Sequence, residues 1–84
     1  MKRDVKIVLS NDEALVLFEF FARFGDTDKF TIKHAAEYLA LLKVEAQLES
    51  SLVEIVKPNY QELLSSARVK IASGFEGAVP GMEN

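Results

Sequence analysis

The stretch Ala14-Leu15-Val16-Leu17-Phe18-Glu19-Phe20-Phe21-Ala22-Arg23-Phe24 constrains this chain more than any other. It holds four of the six phenylalanines. On a helical wheel Asp12, Glu19 and Arg23 fall on one narrow arc with Val16 among them. The rest of the circumference is apolar or small. A helix of that kind needs protein on more than one side. The expected fold is therefore mostly α (α+β): three helices around a central apolar helix, with a short N-terminal β-strand.

With 84 residues, the chain is a single small domain, spanning residues 1–73 and followed by a flexible tail at 74–84. A core this small supplies about 3–5 kcal/mol of net stability. There is no cysteine, so disulfides, thiolate catalysis and thiolate zinc sites are excluded. Oligomerisation is the remaining common support, which makes a homodimer the expected state. A net charge of −3 argues against nucleic acid as partner. Ile7-Val8-Leu9 is too short for an export signal. No run reaches the roughly 20 apolar residues of a membrane span. No membrane association and a cytoplasmic location are expected.

Asp4 to Leu9 alternates as a strand does, with Val5, Ile7 and Leu9 on one face. A lone strand leaves its backbone unpaired. It must pair with Lys29-Phe30-Thr31-Ile32 or with its own copy in a second subunit. Lys2, Arg3 and Lys6 would keep that edge soluble.

Ser10-Asn11-Asp12-Glu13 is a capping box: Ser10 and Glu13 each satisfy the other's backbone N–H at the start of helix one. Glu19 and Arg23 can pair along the exposed arc. Gly25 is expected to stop the helix in a left-handed conformation, with Asp26-Thr27-Asp28 as a turn. Two Asp residues alone are too few for a calcium loop.

Helix two is expected from Thr31–Lys33 to Val56, capped by Thr31. Ala35, Leu39, Leu42, Ala46 and Val53 define one face, with Leu41, Leu48 and Leu52 beside it. Small Ala35 and Ala46 admit another helix closely. Ser50-Ser51 weakens the helix, and Pro58 ends the segment. Asn59 and Glu62 form a second capping signature. Helix three carries Tyr60, Leu63, Leu64, Ala67 and Ile71 in one stripe and stops at Gly74. Phe75 is the residue of the tail that could anchor in a groove of this or a neighbouring subunit.

His34, Tyr38, Glu45 and Glu49 fall inside or beside the apolar arc of helix two. A buried carboxylate is costly unless paired. Glu49 and Glu45 are expected to bond Arg68 or the Tyr60 hydroxyl, with Arg23 the other cation in reach. The alternative is a metal or acid–base site. Di-iron bundles take Glu-x-x-His pairs from several helices, and this chain has one histidine. No metal, cofactor or catalytic residue is assigned, and the chain is read as not an enzyme. The four glycines build no phosphate-cradling loop. A helix-turn-helix reading would turn Gln61, Ser65, Arg68 and Lys70 toward DNA, but cations are few and Glu62 opposes phosphate.

The residues Glu13-Ala14-Leu15-Val16-Leu17-Phe18-Glu19-Phe20, Ala36-Glu37, Leu48-Glu49, Leu52, Pro58-Asn59-Tyr60, Leu63-Leu64 and Ala67-Arg68 resemble a group of short bacterial proteins of uncharacterised function. The resemblance spans nearly the whole chain up to Ala72. It implies a bacterial cytoplasmic origin and one domain, and it transfers no activity.

The expected function is non-catalytic binding of another protein. An immunity-like or antitoxin-like action on a basic partner suits an acidic surface. A nucleic-acid-binding regulator is the second reading, and a small metal protein or enzyme the third.

Overall fold

The computed structural model describes residues 3–27, 31–80 and 82. Three helices follow in order: α1 (Asn11–Thr27), α2 (Ala35–Ser51) and α3 (Tyr60–Ala72), with a short 3-10 turn at Glu54–Val56 before α3.

The start of α1 is set by side chains within one turn. The Ser10 N–H donates to Glu13 Oε1 at 2.8 Å, and the Glu13 N–H donates to Ser10 Oγ at 3.0 Å. Both reciprocal bonds of a capping box are present. Asp12 and Glu13 add negative charge at the positive end of the helix dipole. The other end departs from expectation, because α1 continues through Gly25 to Thr27. Glycine inside a helix costs only about 1 kcal/mol relative to alanine, so it permits a stop without compelling one. Asp26 and Thr27 are therefore helical, while Asp28, Lys29 and Phe30 lie outside the described residues.

The expected cap of helix two is also corrected. His34, not Thr31, is the N-cap: the Ala36 N–H donates to His34 Nδ1 at 2.9 Å. Glu37 Oε1 accepts from the Lys33 N–H at 2.8 Å. The imidazole and the carboxylate satisfy orphan donors that a threonine three residues earlier cannot reach. At the far end α2 stops at Ser51, not Val56. The Ser50 and Ser51 hydroxyls both donate to the Gln47 carbonyl, at 3.0 and 2.8 Å. Such bonds compete with the helical ladder. Leu52 then takes an extended conformation, and Lys57 does so ahead of Pro58.

Asn59 occupies the N-cap of α3, but its side chain makes no capping bond. The expected Asn59–Glu62 capping pair is absent. Backbone bonds set the start instead: Tyr60 N–H to the Lys57 carbonyl (3.1 Å) and Leu63 N–H to the Asn59 carbonyl (3.0 Å). The tight Pro58 turn supplies what a cap would. Past α3, Gly74 takes φ +81°, the left-handed conformation that ends helices.

The core consists of Leu15 from α1, Leu48 from α2, Leu52 beyond it, and Leu64 and Ala67 from α3. Ala14, Val16, Leu17, Phe18, Phe21, Ile55, Tyr60 and Leu63 pack around it, partly exposed. Ala67 is fully buried, and its small side chain brings α3 close to its neighbours. α1 touches both other helices, α3 more extensively.

Two finer expectations are not shown by the single chain. Among the described residues there is no strand. Asp4 to Leu9 is irregular and exposed, with Val5 82 % and Val8 95 % accessible. Thr31 and Ile32 are irregular too, and Lys29 and Phe30, the rest of the expected partner strand, lie outside the described residues. Nor is α1 enclosed all round. Leu15 is its one fully buried side chain among those described, and Phe20 is exposed. Three short helices cannot surround one of their own number.

The consequence is quantitative. The molecule exposes 7322 Å², whereas a folded monomer of 9.4 kDa should expose about 5,000 Å². Its radius of gyration is 14.4 Å, against about 12 Å for a compact domain of this length.

Candidate functional site

The polar residues of helix two do not converge. Glu49 is exposed and Glu45 half-buried, and neither has a partner among the described residues. The expected pairing of Glu45 and Glu49 with Arg68, Tyr60 or Arg23 does not form. The carboxylate that meets Tyr60 is Glu19 of α1: the Tyr60 hydroxyl donates to Glu19 Oε1 at 2.9 Å. The exposed arc assigned to Glu19 from the sequence is in fact the seam with α3. Arg23, expected beside Glu19, lies with its guanidinium carbon 5.8 Å from the centre of the Phe20 ring, within cation–π range. Phe20 also meets Phe21 edge to face at 5.8 Å.

Burial pushes the Tyr60 phenol up to about 12, with the Glu19 hydrogen bond and charge adding to the rise and Arg68 opposing it. A phenol so shifted is a neutral donor at ordinary pH and suits docking α3 on α1, not acid–base work near neutrality.

A second polar contact escaped sequence reasoning. The Asn11 amide donates to Glu54 Oε2, joining the first turn of α1 to the 3-10 turn. Glu54 Oε1 is buried without a partner. The Asn11 bond, with the backbone N–H of Glu54 next in size, holds this carboxyl below its ordinary value. Nothing local marks the pair, since the two residues lie 43 positions apart.

His34 uses its Nδ1 in the cap, and Glu45 lies eleven residues further on, about 16 Å along the helix. Among the described residues no three of His, Cys, Asp and Glu are grouped to hold a metal ion. No helix among them is long and apolar enough to cross a membrane.

What the structure does assemble is apolar surface. α2 buries Leu48 and half-buries Leu41. The face defined by Ala35, Leu39, Leu42, Ala46 and Val53, expected to be the core face, is exposed throughout, with Leu39 62 % and Val53 64 % accessible. The helix docks by its flank, because Leu48 and Leu52 reach Leu15 and Leu64 from that side. Tyr38 and Val44 are exposed as well. Apolar residues thus occupy several sides of α2, interspersed with Glu37, Lys43, Gln47 and Ser50, while the fold covers one flank. Val5, Ile7 and Val8 of the arm are bare. Phe75, expected to anchor in a groove, is 62 % exposed and rests against Gly77, whose added Cβ would come within 2.8 Å of the ring.

No family model, curated protein or solved structure matches the chain.

Proposed function

We propose that this is a non-catalytic, cytoplasmic interaction protein whose working partner is another protein. The observation that carries the reading is the surface left uncovered: about 2,300 Å² more than a monomer of this mass exposes. Exposed apolar side chains include Leu39, Leu42 and Val44 on α2, Val5, Ile7 and Val8 on the arm, and Val69 and Ile71 on α3. Monomeric proteins seldom leave large contiguous apolar patches bare. The arm has both the alternating pattern and the unpaired backbone for strand addition to a partner's sheet edge, presenting Val5, Ile7 and Leu9 on one face. The net charge of −3 steers toward a basic partner, as an immunity-like or antitoxin-like protein would require.

The test is purification of the tagged chain from its native host under non-denaturing conditions, with the mass of the intact assembly measured directly. A stoichiometric complex with a basic protein, weakened when Val5 and Ile7 are both replaced by Ser, supports the reading. Recovery of the chain with no second polypeptide overturns it.

A further inference from the structure

The uncovered face of α2 has an internal symmetry. Ala35, Leu39, Leu42 and Ala46 are spaced four, three and four residues apart, and the spacing and the residue types read the same in both directions. At about 100° per residue they lie within an arc of about 60°. The arc sits on a helix that is continuous from Ala35 to Ser51. Alternating steps of four and three are the seam of a two-helix coiled coil. All four residues are exposed in the single chain, and the seam points away from the flank carrying Leu41 and Leu48.

We propose that this seam is covered by the same seam of a second copy, the two helices running antiparallel about a two-fold axis between Leu39 and Leu42. In that register Leu39 meets Leu42 of the partner subunit, and Ala35 meets Ala46 of the partner subunit. A palindromic stripe is what an isologous interface demands, since each contact occurs twice. Leucines fill the centre and alanines let the helices close at both ends. No charged residue lies on the stripe between Ala35 and Ala46, and Glu49, the next step of three, marks its end. Tyr38 and Glu45 border it on one side, and the antiparallel register brings the Tyr38 hydroxyl toward Glu45 of the partner subunit. Glu45 has no hydrogen-bond partner among the described residues of its own chain. The inference goes beyond the reading above and does not depend on it, because it concerns the purified chain without any other protein.

The experiment is sedimentation equilibrium on the purified full chain, with helical content followed by circular dichroism. The wild type is expected at twice 9.4 kDa. Leu39→Glu places a charge at the centre of the seam and should weaken association about 100-fold. Ala35→Glu and Ala46→Lys should each weaken it, and the double variant should restore it, because Glu then faces Lys of the other chain. In a parallel pair the double variant would set like charges together and would not recover. A monomeric wild type overturns the proposal, as does an undiminished dimer in Leu39→Glu. Failure of the double variant to recover overturns the antiparallel register, and recovery supports it even if Leu39→Glu proves too unstable to read.

Discussion

The hydroxyl of Tyr60 on α3 donates to Glu19 Oε1 on α1 at 2.9 Å, across 41 positions of sequence. Both residues are half-buried, so losing the donor leaves a carboxylate oxygen short of a partner. Tyr60→Phe should cost about 1.5–3 kcal/mol, the range for hydrogen bonds to charged groups. Denaturant unfolding of the single variants and of Tyr60→Phe/Glu19→Gln should show strong coupling. Additive losses would show that the two side chains do not stabilise the fold through each other.

The same contact makes a prediction at high pH. Tyr60 has a folded pKa raised from 10.0 to about 12. Its stabilising contribution is full below the unfolded value and is lost as pH rises through the folded one. Ultraviolet titration in a Tyr38→Phe background, which leaves one phenol to follow, should place Tyr60 near 12. Glu19→Gln should lower it, since the carboxylate's charge is removed.

Ser10 and Asn59 occupy equivalent places at two helix starts, yet only Ser10 bonds the backbone with its side chain. Ser10→Ala should destabilise by about 1 kcal/mol. Asn59→Ala should change stability by no more than about 0.5 kcal/mol. Thermal or urea unfolding separates these values readily.

Glu54 has its carboxyl held below the ordinary value by Asn11. A lowered carboxylate pKa adds stability above the unfolded value, and that stability is lost as pH falls through the folded one. Asn11→Ala should therefore be less stable than the wild type at neutral pH. The gap should close on acidification through the Glu54 titration. Urea midpoints of both proteins across the acid range provide the check.

Leu64 is 1 % exposed and belongs to a core of five buried residues among those described. Truncating a buried leucine to alanine costs about 2–5 kcal/mol, and a domain this small has about 3–5 kcal/mol to lose. Leu64→Ala should be largely unfolded at room temperature, visible as lost helical signal in circular dichroism.

Several features were legible because their causes lie within one turn of chain. Ser10 and Glu13 reach each other across three residues. The Ser50 and Ser51 hydroxyls bend back to Gln47, three and four residues away. Gly74 needs only its missing side chain to take a positive φ. His34 was misread for a related reason: its ring nitrogen caps as a hydroxyl would, but histidine is seldom chosen for that place. Asn59 shows the converse, a favoured capping residue at the right position with no capping bond.

The candidate site was less legible, because position on a wheel does not say which neighbour arrives. The wheel sets Glu19 on an open arc, and the fold lays it against Tyr60. The wheel sets Glu49 in a polar pair, and the fold leaves it exposed. On α2 two adjacent apolar stripes were both visible in the sequence. The choice between them fell to Leu48 and Leu52, which fit between Leu15 and Leu64 and left Ala35, Leu39, Leu42 and Ala46 bare.

The amino-acid order by itself determined where most helices begin and break, since hydrogen bonds between near neighbours need no distant partner. Tertiary structure decided which apolar stripe is buried, which carboxylate meets Tyr60, and that Asp4 to Leu9 is irregular in the single chain. Each of those outcomes depends on a surface contributed from elsewhere in the chain, and burial and ladder pairing are properties of two surfaces, not of one.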